Sequence, residues 1–403
     1  MTYCCPGYYL KIPENTPAVF VCEIATYIWL ILFPYYPKHS LIFWYNLRER
    51  LKGKGMRQFN YSLIKDQKWD SELLGLIAAI YREAGKQEMY LKQRPQELEK
   101  LVEIAKIQST EASNAIEGIV TTSTRIRQLV EEKTTPKNRD EQEIAGYRDV
   151  LGIIHESFDV IPITRNYILQ MHKILYSYMN NPIAGRTKTV QNYISATYPD
   201  GHTETLFTPL APYETPDALD RICEEYNRVI GNTELEPLIA IPIFIHDFLC
   251  IHPFNDGNGR MSRLLTTLLL CRSGFYVGRY ISLEAKIAKN KDLYYDALAA
   301  SQDGWHEGHD DPIPFVKYLL GTILAAYKDF ADRFAIVETN HSALDMVRMA
   351  TQNKIGRFTK QDIREQCPSL SISSIESALR NMVVRGELKR EGAGKNTCYY
   401  RLK

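Results

Sequence analysis

Residues 252–263 read HPFNDGNGRMSR, and this segment constrains the fold more than any other part of the chain. The stretch before it, Leu238 to Ile251, is largely apolar at helical spacing, and Leu264 to Leu270 after it is apolar without a breaker. This pattern predicts a turn between two buried helices. Gly257 and Gly259 allow backbone conformations closed to other residues, and the helix N-terminus that follows offers free N–H groups to an anion. The segment therefore predicts a phosphate-binding turn.

The other side chains of this turn supply chemistry. His252 can accept a hydroxyl proton at neutral pH, since the reference pKa of imidazole is roughly 6.5. Asp256 offers the hard oxygen that Mg²⁺ prefers, and Asn258 tolerates a left-handed turn. Arg260 and Arg263 are three residues apart, so we expect both guanidinium groups on one helix face, forked onto phosphate oxygens.

The whole string resembles the signature HxFx(D/E)GNGRxxR of the Fic (Fido) family, with every fixed position present. The resemblance implies a protein adenylyltransferase, in which a hydroxyl of a target protein attacks the α-phosphorus of ATP, AMP is transferred and pyrophosphate leaves. It implies His252 as the catalytic base and Asp256 as the Mg²⁺ ligand. The implied ATP-binding residues of the turn are Asp256, Gly257, Asn258, Gly259, Arg260 and Arg263. A related phosphorylating branch usually carries Lys in place of Gly259, so this chain favours AMP transfer.

A different class of enzyme competes for the same region. The dipeptide His246-Asp247 resembles the metal-dependent HD phosphohydrolases, which need further ligands around the metal. His172 and His202 are candidates for those ligands. The alternative is that His246, within an apolar helix, is a core residue.

A second constellation lies in STEASNAIEGIVTT, residues 109–122. Ser113 and Glu117 are four apart and share a helix face, and Gly118 indicates the helix end. Because the helix dipole repels a carboxylate there, Glu117 needs a cationic partner. SNAIEG matches the family's inhibitory motif (S/T)xxxE(G/N), which implies an ion pair with Arg263 that keeps the γ-phosphate of ATP away. A solvated glutamate is the alternative, and self-modification or removal of AMP stays open.

Residues 185–210 predict a β-hairpin. The segments 187–194 and 206–208 are β-prone, and a Pro-Asp-Gly turn lies between them. The hairpin resembles the Fic flap, which holds a target segment by strand addition, with Thr189, Val190 and Gln191 as its binding residues. A purely structural ribbon would show the same pattern.

Downstream, residues 289–305 resemble the family's nucleotide-base region. Asn290 is expected to bond the phosphate or sugar. Adjacent residues of a helix face different directions, so only one of Tyr294 and Tyr295 should reach the adenine, the other being core.

Composition bounds the remaining organisation. The 403 residues are 45% apolar, enough for two or three domains. A net charge of +1 argues against coating nucleic acid. The eight cysteines include no CxxC pair, so reduced thiols in a cytoplasmic protein are expected.

The fold class we expect is mainly α: an N-terminal helical region (56–160) with the inhibitory motif at 113–118, a Fic catalytic core (161–332) with its hairpin flap, and a C-terminal winged-helix α+β domain (340–403).

The last fifty residues hold eleven Lys and Arg against five Asp and Glu. FTKQDIREQCP, SISSIESALRNMVVRGEL and KREGAGKNTCYYRL read as helix, second helix and two-stranded wing. Such a domain contacts DNA or protein, and a DNA-bound regulator whose Fic core senses a nucleotide or a partner is the alternative function. The side chains available for DNA phosphates are Arg380, Arg385, Lys389, Arg390 and Lys395.

Residues 1–55 differ from the rest. The apolar stretch 19–36 is nearly long enough to span a bilayer, yet it contains Glu23 and ends in Pro34. Met56 opens a sequence that looks like a usual beginning for this family, so residues 1–55 are interpreted as an extension not needed for function, with a membrane anchor as the less favoured alternative. The family resemblance implies a partner, namely a target protein that bears a hydroxyl side chain. A homodimer stays open.

Overall fold

The computed structural model describes residues 2–5, 8–11, 57, 59–66, 69–93, 95–197, 200–338, 342–352, 354, 356–367, 370–392, 394 and 397–402. The chain divides into two compact units, residues 1–56 and 57–403. The first contains an antiparallel strand pair, β1 (Thr2–Cys5) and β2 (Tyr8–Lys11). The apolar stretch 19–36 lies outside the described residues. Of the helices that the structure describes, none combines the length and apolarity needed to cross a membrane.

The second unit is mainly helical with a small hairpin, which confirms the predicted fold class. A 3₁₀ helix (Tyr61–Asp66) precedes the α-helices, and a second one (Trp305–Glu307) precedes α12. The helices are α1 (Ser71–Gln93), α2 (Pro95–Ile116), α3 (Ser123–Val130), α4 (Arg139–Ser157), α5 (Arg165–Leu175), α6 (Thr215–Gly231), α7 (Pro237–Ile251), α8 (Asn258–Arg272), α9 (Val277–Tyr280), α10 (Leu283–Lys289), α11 (Lys291–Gln302), α12 (Ile313–Glu338), α13 (Ala343–Gln352), α14 (Lys360–Gln366) and α15 (Ile372–Val384).

Helices α7 and α8 form the centre of this unit. Every residue of α7 from Leu238 to Ile251 is buried, and so is nearly all of α8. A helix that is apolar on all sides must be enclosed by other helices. Helix α6 packs along α7, α12 packs along α1, and α2 packs against α4 and α10. The turn between α7 and α8 is thereby held by the most buried pair of helices.

The predicted hairpin is present, but its first strand begins later than expected and its second strand begins earlier. Strand β3 spans Ile194–Thr197 and pairs antiparallel with β4, Thr203–Phe207, with an irregularity at Ile194 and Ser195. The prediction of strand from residue 187 was wrong. The side chains of Lys188 and Asn192 bind the turn after α7, so residues 187–193 follow that turn instead of pairing as a strand.

The C-terminal region has its own small core, formed by residues of α13, α14, α15 and the strands β5 (Phe358–Thr359), β6 (Leu388–Glu391) and β7 (Cys398–Arg401). The three strands form an antiparallel sheet in the order β5-β7-β6. Thr359 caps α14 through a capping box, and Ser371 caps α15. Helix α12 continues to Glu338, past the predicted core boundary at 332. The assignment as a winged helix, and any DNA contact, stay predictions.

A buried carboxylate joins the beginning of this unit to its centre. Asp247 on α7 accepts hydrogen bonds from the Tyr61 hydroxyl at 2.8 Å and from the indole N–H of Trp305 at 2.7 Å. The Arg57 guanidinium lies 3.3 Å from the same carboxylate. Burial, followed by the Asp247 charge, raises the pKa of Tyr61 well above its usual value. This cluster ties Arg57 and Tyr61 to the central helix.

Replacing Asp247 should destabilise the protein strongly. In Asp247→Ala the three donors lose their shared acceptor, and removing one partner of a buried ion pair costs about 3–5 kcal/mol. Tyr61→Phe removes one bond to the charge and should cost only about 1.5–3 kcal/mol. Urea denaturation of both variants checks this, and an equal or smaller loss in Asp247→Ala would contradict the role of Asp247.

Candidate active site

His252 ends helix α7 in a left-handed conformation, with φ of 51°. Its Nδ1 lies 3.2 Å from the carbonyl oxygen of Leu249, and because a carbonyl can only accept, Nδ1 carries the proton. The other nitrogen, Nε2, is then the basic one. Burial, the first cause, lowers the pKa of His252 to about 4, and the charge of Lys188 contributes to the lowering. The imidazole is therefore neutral, and able to accept a proton, at pH 7.

Two residues from the segment before the hairpin bind the four consecutive carbonyls of residues 251–254, where α7 ends. The Lys188 ammonium donates to Ile251 O at 2.9 Å, and its backbone N–H donates to Pro253 O at 2.8 Å. The Asn192 amide donates to His252 O at 3.3 Å and Phe254 O at 3.0 Å. Lys188 is buried, and this burial lowers its pKa to about 8. Since the last carbonyls of a helix have no partner within it, these bonds fix the turn that carries His252.

The Asn258 side chain closes the next part of the turn by bonding back to Phe254. The Asn258 side chain accepts from Phe254 N at 2.9 Å and donates to Phe254 O at 2.7 Å. His172 stacks on the Phe254 ring at 3.7 Å, and its Nε2 donates to the Asp256 carbonyl at 3.0 Å. Because the Gly185 N–H donates to Nδ1 of His172, Nδ1 is the acceptor and Nε2 carries the proton. Asn258 thus closes the turn with its side chain and takes no left-handed conformation, which Gly257 adopts instead, with φ of 83°.

The two arginines of the segment point to different helices, so the prediction of a shared clamp was wrong. Arg260 is fully buried, 2.7 Å from the Glu143 carboxylate of α4 and 2.8 Å from the Tyr176 hydroxyl. Glu143 also accepts from Arg139 at 3.0 Å. Arg260 therefore joins α8 to α4. The cause is the helix geometry. Three residues fall short of a full helical turn by about 60°, so Arg263 points toward a different neighbouring helix than Arg260.

Arg263 faces helix α2 and the predicted inhibitory motif. Its Nε donates to the Ser113 hydroxyl at 2.8 Å, and one terminal nitrogen donates to Ser113 O at 2.8 Å and to Glu117 Oε1 at 2.7 Å. Arg263 is buried, whereas the Glu117 side chain is 33% exposed. Gly118 follows the helix with φ of 80°. The geometry brings Ser113, Glu117 and Arg263 together, with the carboxylate on the accessible side.

Gly259 contributes space rather than an unusual backbone conformation, contrary to the prediction. It lies in the first turn of α8, and a Cβ there would lie 2.2 Å from Glu117 Oε1. Only glycine lets the Glu117 carboxylate approach α8 this closely. The same space lies beside the N–H groups that begin α8.

Asp256 lies at the open side of the turn. Its Oδ1 accepts the Gly257 N–H at 2.7 Å, and Oδ2 lies 3.7 Å from Arg260. Half of its side chain is exposed, at 50%. The carboxylate is thus oriented by the backbone and reachable from solvent.

Comparisons with known proteins match this arrangement. The family model described as Fic/DOC family matches residues 162–270, which contain the flap hairpin, α7 and most of α8. The chain carries a Fic domain. A Fic family protein from Desulfovibrio desulfuricans G20 shares the fold, with a TM-score of 0.53 at 20% identity, covering 83% of this chain and 97% of that one.

Two curated relatives carry the name protein adenylyltransferase. This chain is 30% identical over 142 residues to fic-1 of Caenorhabditis elegans, covering 34% of this chain and 25% of that protein. It is 24% identical over 217 residues to Fic of Nematostella vectensis, covering 51% of this chain and 44% of that protein. The chain thus spans less than half of the length of both relatives.

Beside the turn of the Fic domain lies the predicted nucleotide-base region. Tyr294 is buried, whereas Tyr295 is exposed and lies close enough to Glu117 and Arg263 for their charges to affect its pKa, which burial chiefly raises. Lys291 lies over the Tyr295 ring at 5.6 Å and donates to Ile116 O at 2.8 Å. Of the two tyrosines, Tyr295 is the one that solvent can reach. Asn290 is exposed at the joint between α10 and α11.

The predicted flap residues lie before the hairpin strands. Thr189 and Val190 are exposed, and Val190 is 68% accessible. The Gln191 amide donates to Asn192 O at 3.0 Å and Pro209 O at 2.9 Å, so it braces the base of the hairpin. Thr189 and Val190 are thus accessible close to the residues that bind the His252 turn.

The geometry of His246 and Asp247 does not match an HD phosphohydrolase. Asp247 is occupied by Arg57, Tyr61 and Trp305, and His246 is buried against Phe315. Both nitrogens of His172 are occupied, Nε2 by the Asp256 carbonyl of the turn and Nδ1 by the Gly185 N–H. Within the described part of the chain no three His, Cys, Asp or Glu side chains are grouped as metal ligands would be.

Sequence reasoning missed the residues that hold the turn from a distance. Glu143 lies in an ordinary charged amphipathic stretch of α4, and Lys188 and Asn192 were read as part of a strand. The partners through which they hold the turn or α8 are 60 or more residues away in sequence. One signal was available. Lys188 and Asn192 lie four residues apart, at positions where the outer face of a regular hairpin should carry β-branched residues.

The buried histidine behind the turn predicts a pH dependence of stability. Burial lowers the pKa of His172 to about 4, below the 6.5 expected in the unfolded chain. Between these values only the unfolded chain binds the proton, so the free energy of unfolding falls as the pH falls, by at most about 1.4 kcal/mol per pH unit. Urea denaturation at pH 7, 6 and 5 should give a steeper loss for the wild type than for His172→Gln. Equal slopes would contradict a neutral buried His172.

Proposed function

We propose that this chain is a protein adenylyltransferase that transfers AMP from ATP to a Ser, Thr or Tyr hydroxyl of a target protein. The observation that carries the proposal is the neutral His252, which lies directly before a glycine turn and a helix N-terminus. Its Nδ1–H donates to Leu249 O, so Nε2 is left as the proton acceptor. The names of the curated relatives support the same activity.

In the proposed reaction, His252 Nε2 takes the proton of the target hydroxyl as the oxygen attacks the α-phosphorus of ATP. The new bond joins that oxygen to phosphorus, and the bond to the bridging oxygen of pyrophosphate breaks. The Gly257 turn and the N–H groups at the start of α8 would stabilise the phosphate charge. Tyr295 would contact the adenine and Asn290 the sugar or phosphate side.

Asp256 fits the role of magnesium ligand. It is an exposed carboxylate held by the Gly257 N–H, and Mg²⁺ in nucleotide sites is bound by one or two carboxylates together with phosphates. When bound, Mg²⁺ would neutralise charge on the triphosphate. Arg260, which is buried against Glu143, would act by holding Asp256 and α8 rather than by clamping a phosphate.

The proposed enzyme is inhibited by its own α2. Glu117 occupies the Arg263 guanidinium and the space left by Gly259, where the γ-phosphate of ATP would otherwise bind. The carboxylate is partly exposed and follows the last residue of the helix, so it can leave without unfolding α2. ATP bound while Glu117 remains would be held unproductively.

A second candidate is a DNA-bound regulator. Four basic side chains of the C-terminal domain are exposed where phosphates could reach them: Arg380 on α15, Arg385 directly after it, and Lys389 and Arg390 on β6. Lys395 lies outside the described residues. In that case the Fic domain would bind nucleotide without transferring it.

Glu117→Gly should raise transfer of label from α-labelled ATP to protein by roughly ten- to a hundredfold, since it removes one charge-assisted bond to Arg263. Self-labelling followed by gel autoradiography measures this. Glu131→Gly is the matched control, because Glu131 also directly follows a helix end, and it should leave labelling unchanged. No transfer at all by a folded Glu117→Gly chain would instead favour the DNA-bound regulator.

His252→Ala in the Glu117→Gly background should lower labelling by about a hundred- to ten-thousandfold, the usual contribution of a general base. Nucleotide affinity, measured by calorimetry, should persist. His309→Ala, an exposed histidine outside the turn, is the control and should label normally. Label from γ-labelled ATP on the protein would mean phosphorylation, and undiminished α-label would exclude His252 as the base.

A further inference from the structure

A second buried carboxylate lies behind the inhibitory motif. Glu284, at the start of α10, is 2% exposed. It accepts hydrogen bonds from the hydroxyls of Ser109 at 2.7 Å, Tyr147 at 3.0 Å and Ser282 at 3.0 Å. A buried charge is tolerated only when such bonds satisfy it, and bonds to an ionised acceptor are stronger than neutral ones. Glu284 therefore holds the residues that donate to it firmly in place.

One of these donors belongs to the inhibitory helix. Ser109, Ser113 and Glu117 are spaced four residues apart, so they form one stripe along α2. Ser113 and Glu117 both contact Arg263, and Ser109 contacts Glu284. The stripe is thus bound at both ends, by a cation on α8 and by an anion on α10.

Tyr147 on α4 binds the same carboxylate as Ser109. Its hydroxyl donates to Glu284 at 3.0 Å. Glu284 therefore joins α2, through Ser109, to α4, through Tyr147. Because both helices donate to one buried acceptor, α2 cannot shift without losing a bond to a charged group.

We infer that Glu284 is a positioning residue that anchors α2 and thereby sets how firmly Glu117 is held on Arg263. The inference rests on the proposed function, and it concerns the regulation of the same site. Glu284 has no described contact with His252 or the turn, so it acts through α2. Loosening this anchor should release the inhibitory glutamate while the catalytic residues stay unchanged.

Ser109→Ala in the full chain tests the anchor with the smallest change. It removes only the hydroxyl that reaches Glu284, and we expect α-labelling to rise about tenfold, the effect of losing one bond to a buried charge. Amide hydrogen exchange of residues 107–116 should speed up as well. Ser109→Thr retains the hydroxyl and should retain the inhibition.

Thr110→Val is the matched control. Thr110 is buried on the same helix, next to Ser109, and its hydroxyl has no hydrogen-bond partner among the described residues. Removing that hydroxyl at constant volume should change neither labelling nor exchange. A rise equal to that of Ser109→Ala would show that any loss in the α2 core releases Glu117, and would overturn the role of Glu284.

The Glu117→Gly background separates positioning from general stability. There, Ser109→Ala should give no further increase, because the inhibitory carboxylate is already gone, whereas a general loss of stability would lower labelling in both backgrounds.

Glu284→Gln in the full chain should raise labelling as Ser109→Ala does. If Glu117→Gly raises labelling and neither Ser109→Ala nor Glu284→Gln does, the anchor is refuted and the proposed function stands. If Glu117→Gly itself raises nothing, the proposed function fails, and exchange of α2 still tests the anchor.

Discussion

A buried guanidinium needs a negative partner, and in this protein that requirement falls on Arg263. Its charge cannot be left uncompensated in the interior, because removing one partner of a buried pair costs several kcal/mol. Glu117 supplies the charge here, and a γ-phosphate could supply it in the same space. Because Glu117 and the γ-phosphate would bind the same guanidinium in the same space, they exclude each other. The proposed inhibition is this competition, and it needs no large conformational change.

The remainder of the site prepares a fixed surface for the competition. Four carbonyls at the end of α7 are bound by Lys188 and Asn192, and the turn is closed by Asn258 and supported by His172. Every one of these contacts restrains the backbone between residues 251 and 258. In the proposed reaction, the base and the anion site lie on this one restrained turn, so their separation would stay constant, as in-line attack on phosphorus requires.

Local features of the site could be predicted from the sequence, because they depend on neighbouring residues. The turn between two apolar helices, the helix end at Gly118 and the hairpin follow from periodicity, glycine and turn chemistry. The four-residue spacing of Ser113 and Glu117 placed them on one face, and the structure brings that face to Arg263.

Long-range partners could not be predicted in this way. Glu143 captures Arg260, and Glu284 binds Ser109 across 175 positions of sequence, yet neither carries a motif. The strand prediction at 187–193 failed for the same reason, since tertiary bonds from Lys188 and Asn192 outweigh β-propensity. Spacing shows which side chains share a face, but only the packed helices show which charge meets that face.

The most direct measurement is a crystal structure of Glu117→Gly with Mg²⁺ and a non-hydrolysable ATP analogue. The account predicts the γ-phosphate on the Arg263 guanidinium, in the space beside Gly259, and the α-phosphorus facing Nε2 of His252. A triphosphate bound elsewhere, or one that leaves Arg263 without a phosphate contact, would contradict the claim that Glu117 and ATP compete for the same cation.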